Sequence, residues 1–317
     1  MPANTLEVTP EAKLEAGKIA ATPPIAVPKP ASPAQVKSFV DNGFLAFEGL
    51  VSPAELEELK ADTFKLARGG YPCDSLKPLP ADMSDNDVIS KILCIHQPHY
   101  ISPVMRKYAL HPRICGVLSQ ITAAHLPFWD GSVKCMQTML FVKPPQFQGQ
   151  AWHQDEIYIP TRDRSLIGAW IAMDDATVEN GCLWVVPESH RMGYLYPQRA
   201  HNRNEEFDFA PESYGFDENK QVPVVVKAGT VVFFNGYLLH RSFKNKTTGC
   251  YRRVLVSHYM NAWSHLPWSM REGESPASAD RRCIIPVSGV DPYAWKGYEQ
   301  ESNNVWLRTC AANQEKK

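Results

Sequence analysis

The sequence predicts an α+β chain that is mainly β: an antiparallel sandwich or jelly roll, with helices packed ahead of it. Three observations carry this. From Lys134 to Tyr259 the apolar residues fall in short runs separated by Pro, Gly, Asn and Asp, with no helical segment between them. Before about residue 122 the pattern is instead helical, with Ser-Pro start signals. Finally, 317 residues at 44% hydrophobic and 21% charged are ordinary globular composition, enough to bury a large core.

In chain order, residues 1–34 are rich in Ala, Pro, Glu and Lys and have little to bury. They read as a mobile tail in which Glu7 to Ala21 can form a short helix. Residues 35–317 read as a single domain. Ser32-Pro33 is a helix start, Val36, Phe39 and Val40 keep helical spacing, and Asn42-Gly43 is the stop. Phe44 to Phe47 follows as a strand. Ser52-Pro53-Ala54-Glu55 repeats the start with Glu at the capping-box position, and Leu56, Leu59, Phe64 and Leu66 mark a helix ending near Gly69-Gly70. Helical packing is expected on to about residue 122, interrupted by a polar loop from Pro78 to Asp87. Strands are expected at Cys135–Val142, around His153, and at Leu166–Met173, Gly181–Val186, Val222–Val226, Thr230–Phe234 and Tyr251–Tyr259. Residues 196–220 have no clear period and are expected to form a lid or binding loop. The segment after 261 carries Trp263, Trp268, Trp295 and Trp306 and is expected to wrap back onto the β core.

Charge and cysteine usage narrow the function classes. A formal net charge of −1 offers no field for nucleic acid or an anionic membrane. No apolar run approaches the roughly 18 residues of a membrane span, and neither a secretory signal core nor a C-terminal peroxisomal tripeptide is present. The eight cysteines are scattered singly, as reduced thiols used as small apolar residues. A cytoplasmic protein is expected.

The chemistry centres on Ala151 to Pro160, read as a strand because of Ile157, Tyr158 and Ile159. Residues two apart share a strand face, so His153 and Asp155 present an imidazole and a carboxylate together, with Gln154 opposite. One more imidazole from a distant strand would complete a 2-His-1-carboxylate set, which favours Fe(II) and leaves positions open. His240 follows the apolar runs Thr230–Phe234 and Tyr237–Leu239, where an imidazole is either a satisfied core histidine or a ligand. Further on, Arg252-Arg253 leads into an apolar strand. A guanidinium buried there needs an anionic partner, and the planar fork suits a carboxylate. Period two lets only one of the pair face inward. His96, His99 and His111 are expected at the surface or at caps, and Asn245-Lys246-Thr247 as a turn. Neither a Gly-rich phosphate loop nor a nucleophile elbow is found.

Together these pieces resemble the phytanoyl-CoA dioxygenase family of iron(II)- and 2-oxoglutarate-dependent oxygenases. The carrying residues are Met136 to Pro145, His153-Gln154-Asp155, Ala169 to Asp174, Asn180 to His190, Gly229 to Phe234, His240-Arg241-Ser242 and Tyr251-Arg252, with Asn42-Gly43-Phe44 and Ser52-Pro53 ahead of them. The resemblance runs from about residue 35 to 260 and implies a double-stranded β-helix, a cupin-like jelly roll with the N-terminal helices on one sheet. It implies Fe(II) held by His153, Asp155 and His240, with 2-oxoglutarate and O2 as cosubstrates. The family's arginine lies six positions before a histidine, and His258 then points to Arg252 as the clamp for the far carboxylate, with Arg253 in reserve. By the same likeness Ser242 contributes a hydroxyl, Met139 and Trp170 line the cosubstrate pocket, and Lys91 is a basic contact. The carboxylate at Asp155 favours hydroxylation over halogenation. The expected activity is hydroxylation of a small molecule with release of succinate and CO2. The rivals are desaturation, ring closure or epimerisation on the same iron, and a non-catalytic metabolite-binding barrel. Tyr71, His96, His99, Tyr100, Phe207, Phe209 and Tyr214 are expected to form the substrate walls.

Overall fold

The computed structural model describes residues 24–201, 211–265, 284–298 and 305–310. Expectations for the Glu7–Ala21 helix, Phe207, Phe209, Trp268 and Cys283 lie outside the described residues.

The two Ser-Pro signals start helices as expected. Helix α1 (Pro33–Asn42) and helix α2 (Pro53–Ala67) each have Ser at the N-cap, Pro at the first position and a complete capping box. Each cap satisfies backbone N–H groups that would otherwise be orphaned, an effect of about 1 kcal/mol. Gly43 ends α1 at φ +82°, a conformation that side chains resist, and a Cβ there would also strike the ring of His190. The chain then enters β1 (Phe44–Phe47). Three shorter helices follow, α3 (Asp85–Lys91), α4 (Pro103–Ala109) and α5 (Pro112–Ile121). Residues 24–31, expected in the tail, run against α5: Ala31 and the Gln120 side chain exchange hydrogen bonds of 2.9 and 2.7 Å.

Ile92–His96, expected within the helical region, is a strand, β2, buried at every residue. A continuous apolar run has no period to tell a buried strand from a buried helix. The remaining strands are β3 (Val133–Lys143), β4 (Gln150–His153), β5 (Ile167–Ala172), β6 (Leu183–Val185), β7 (Gln198–Arg199), β8 (Glu212–Ser213), β9 (Val222–Val224), β10 (Val231–Asn235), β11 (His240–Ser242), β12 (Arg252–Asn261), β13 (Ile285–Ser288) and β14 (Trp306–Thr309). The major sheet runs β1-β10-β5-β12-β3-β2-β14, with β13 also paired to β3, and the minor sheet runs β4-β11-β6-β9. Every pairing in them is antiparallel. This is the jelly roll. The chain beyond 261 does return to it, as β13 and β14.

The major sheet is apolar on both faces, and period two separates the two cores. Val231, Phe233, Ile171 and Leu255 point outward and pack with Leu59, Leu66, Tyr108 and Leu118 of the helices. Val232, Phe234, Trp170, Val254 and Val256 point inward, toward Leu183, Val185 and Val224 of the minor sheet. The helices therefore pack on one sheet as expected, and the other face of that sheet forms a wall of the interior.

His96, His99 and His111 are buried, not exposed. His111 does stand at the N-cap of α5, but its ring engages Glu55 at 3.1 Å. Burial opposes Glu55 ionisation, yet the Ser52 N–H and hydroxyl and His111 hold its pKa down to about 2. Burial pushes His96 down to about 4 and His99 to about 3, and the Nε2 of each finds no partner among the described residues. An unfolded imidazole takes its proton near the usual 6.5, so between that pH and the folded values the unfolded chain holds more protons. Stability therefore falls as pH falls through this interval. In urea denaturation, lowering pH from 7 to 5 should cost about 2 kcal/mol for each imidazole, and His99→Gln should remove one such contribution from the slope.

Candidate active site

In the minor sheet, the edge strand β4 pairs with its neighbour β11 and places His153 directly opposite His240 in register. Their ring centroids lie 4.1 Å apart. Each Nδ1–H donates to a carbonyl two residues back, His153 to Ala151 at 2.8 Å and His240 to Leu238 at 3.0 Å. Both Nε2 atoms are thereby left as lone-pair donors on a fixed bearing.

Asp155 arrives differently from expectation. Strand β4 ends at His153, and Asp155 opens a short 3-10 turn, Asp155–Ile157. Beyond His153 the partner strand β11 has no further residue to pair with, so the chain turns despite the strand propensity of Ile157 to Ile159. Gln154 points away, as expected, bridging to the backbone of Tyr196 and Tyr237. The turn brings Asp155 Oδ1 to 3.6 Å from the Nε2 of both His153 and His240. That is too long for hydrogen bonds and suits three donors sharing one ion about 2 Å from each. Among the described residues this is the one group of three or more His, Cys, Asp or Glu able to hold a metal, its ligand atoms lying within 4.8 Å of one another. The donor set, two imidazoles and a carboxylate on one side of a cavity, fits Fe(II).

A residue the sequence reading used only as a landmark completes the arrangement. His258, on β12, donates from Nε2 to the other carboxylate oxygen of Asp155 at 2.9 Å. Burial alone would raise the Asp155 pKa, but the imidazoles of His240, His258 and His153 outweigh it and hold the group ionised. Burial and the neighbouring His240 push His153 down to about 4, so its ring is neutral and able to ligate. The available signal for His258 was its six-residue offset from Arg252, which puts both on the inner face of one strand.

That offset also decides between the arginines. Arg252, Val256 and His258 line the same cavity, which has a volume of about 440 Å³. Arg253 faces the other way, where Asp174 accepts from its Nε at 2.7 Å and from its other nitrogen at 2.6 Å. Arg252 is 6% exposed, stands 5.6 Å from the Trp170 ring, and its Nε has no partner among the described residues. Burial holds its pKa down to about 10. Ser242, Met139 and Trp170 line the cavity with it. Behind Ser242 lies the buried Lys143, whose Nζ donates to the Ser242 hydroxyl oxygen at 2.8 Å and to the Phe243 carbonyl at 2.7 Å. Burial and the Arg252 charge press its pKa well below the usual lysine value.

Some expected residues are not brought here. Lys91 is exposed at the end of α3, and neither it nor Tyr71, His96, His99, Tyr100 or Tyr214 lines the cavity. The outer wall is instead made by Gln137, Tyr158, Ile159 and Arg308. Part of the 196–220 loop forms the β7–β8 hairpin, and Tyr196 and Phe216 pack around Trp152.

The phytanoyl-CoA dioxygenase family model matches residues 39–254. Human (Homo sapiens) peroxisomal phytanoyl-CoA dioxygenase is 30% identical over 249 residues, 73% of this chain and 69% of that protein. Rice phytanoyl-CoA dioxygenase 1 is 30% identical over 56% of this chain, and the match spans 61% of the rice protein. The zebrafish (Danio rerio) phytanoyl-CoA dioxygenase domain-containing protein 1 is 25% identical over 76% of this chain and 95% of that one. Among solved structures, the non-haem α-ketoglutarate-dependent carbocyclase SnoK has TM-score 0.57 at 20% identity, covering 83% of this chain and 99% of that one. Iron-bound EctD from S. alaskensis has TM-score 0.55 at 22% identity, covering 75% and 79%. The last two speak for the fold. The chain belongs to the phytanoyl-CoA dioxygenase family, and its enzyme class is the 2-oxoglutarate-dependent non-haem iron dioxygenases.

Anaerobic calorimetric titration with Fe(II) tests the donor set. Asp155→Ala should abolish tight binding. His258→Ala, which leaves all three proposed ligands in place, should weaken it roughly 10- to 100-fold.

Proposed function

We propose that this chain oxidises a C–H bond of a small organic molecule and couples that to decarboxylation of 2-oxoglutarate, with hydroxylation as the outcome. The observation that carries the proposal is the meeting of His153, Asp155 and His240 at one point of a cavity whose inner end holds Arg252. Bound Fe(II) and 2-oxoglutarate would together supply, on reaction with O2, an oxidant able to remove hydrogen from an unactivated C–H bond, leaving succinate and CO2.

The remaining tasks fall to the protein. His153 and His240, pinned by Ala151 and Leu238, would hold two metal positions on one side. His258 would keep Asp155 ionised and correctly turned for the third. Arg252 and the Ser242 hydroxyl would bind the far carboxylate, while Met139 and Trp170 flank the cosubstrate. Phe234, Ile159 and Val256 would keep bulk water from the reacting centre. A substrate would then approach from the side of Gln137, Tyr158 and Arg308. A cavity of about 440 Å³ shared with a dicarboxylate suits a small molecule, or the reacting end of a longer one.

Desaturation, ring closure and epimerisation would use the same centre and differ in product mass. Incubation with Fe(II), 2-oxoglutarate and an extract fraction should give succinate together with a product heavier by one oxygen. Loss of two hydrogens or an unchanged mass would favour the alternatives, and no oxygen uptake with any candidate would favour a non-catalytic barrel. Arg252→Gln should raise the 2-oxoglutarate KM by 10- to 100-fold, from the loss of roughly 1.5–3 kcal/mol of charged hydrogen bonding. Arg253→Gln should leave that KM unchanged and lower only the melting temperature.

A further inference from the structure

Lys143 and Arg252 are direct partners in the β3–β12 ladder. Both side chains are buried, at 2% and 6% exposure. Like charges directly opposite on a sheet repel, and the repulsion grows as water is removed. Yet among the described residues no carboxylate forms an ion pair with either, although Arg253, one position along, has Asp174. A glycine packs against the arrangement. Gly181 sits at φ +80°, and a Cβ there would lie 3.0 Å from Lys143 Nζ and 2.5 Å from the Phe243 carbonyl oxygen that Lys143 holds. A side chain at 181 would crowd the Phe243 carbonyl first and the ammonium with it.

Lys143 does not itself line the cavity, but Ser242 does. A hydroxyl has one proton and two lone pairs. Accepting the ammonium N–H at 2.8 Å uses a lone pair and leaves the Ser242 proton to be donated elsewhere, on the cavity side. We propose that Lys143 is a positioning residue for the far carboxylate of the cosubstrate. It acts through Ser242, fixing that hydroxyl as a donor, and together with Arg252 it makes the inner end of the cavity a site that only an anion completes. The inference rests on the cosubstrate reading above and goes beyond it in assigning a role to a residue outside the cavity wall.

Calorimetric titration of the Mn(II)-loaded protein separates a positioning role from a merely structural one. Two probes are used: 2-oxoglutarate, and oxalate, which can chelate a metal but has no far carboxylate. Lys143→Met should weaken 2-oxoglutarate binding roughly tenfold or more and leave oxalate within about twofold. Ser242→Ala should do the same, and the double variant should be little worse than Ser242→Ala alone, because the two residues act as one unit. Lys143→Gln, which keeps a donor without the charge, should fall between wild type and Lys143→Met, and it carries the test if the methionine variant fails to fold. Equal loss of both probes, unchanged 2-oxoglutarate affinity, or fully additive losses would overturn the proposal. A wild-type protein that binds oxalate but not 2-oxoglutarate would overturn the cosubstrate reading itself.

Discussion

A single buried carboxylate organises this molecule. Asp155 is 9% exposed, and a charge so placed is tolerated only where its surroundings favour the ionised form. Three imidazoles surround it, the His258 N–H donating to it directly, and each comes from a different strand: His153 from β4, His240 from β11, His258 from β12. The first two belong to the minor sheet and the third to the major one. Asp155 is thus the point at which the two sheets are held in chemical register. Any slip of β11 by one residue would turn His240 to the opposite face and open the set.

The major sheet serves two purposes, and period two keeps them apart. On β12 the outward residues Leu255 and Tyr259 belong to the helix-covered core, with the Tyr259 hydroxyl donating to Ala109 at 2.9 Å. Of the inward residues, Arg252, Val256 and His258 line the cavity, and Val254 packs in the apolar layer between the sheets. The helices therefore do not build the site. They stiffen the sheet that carries it, which is how a reacting geometry is kept to within fractions of an ångström. The same logic explains why buried histidines such as His99 stand in the helical layer with no part in the chemistry.

Much of this was legible in the sequence wherever one local cause determines the outcome. Ser-Pro caps, Gly43, and the short apolar runs bounded by turn residues that form β3, β5, β6, β9, β10 and β12 have such causes. The expected ligands His153, Asp155 and His240 do come together, although Asp155 gets there by a turn instead of a strand pleat. The illegible parts have non-local causes. β2 is a strand because it lies between β3 and β14, and nothing within Ile92–His96 encodes that. β4 stops at His153 because its partner runs out, which only the pairing shows. The interior position of Lys143 depends on Gly181 and Ser242, both distant in sequence. The choice between Arg252 and Arg253 needed only the strand face, once that face was known.

The cavity also divides by origin. Its inner end, with Met139, Trp170, Ser242 and Arg252, lies within residues 39–254, the span matched by the family model. Its outer wall includes Arg308 on β14, beyond that span, held in place by pairing with β2. Trp306 on the same strand stacks on His96, with centroids 4.2 Å apart and planes inclined by 12°. The buried histidine expected to touch substrate is thus, physically, the seat for the strand that does reach the cavity. Chemistry shared across a family requires a constant inner end, whereas selection of one molecule requires a wall free to differ. The late strand β14, held by its ladder with β2 and by the Trp306–His96 stack, adds its part of that wall from outside the matched span without touching the inner end.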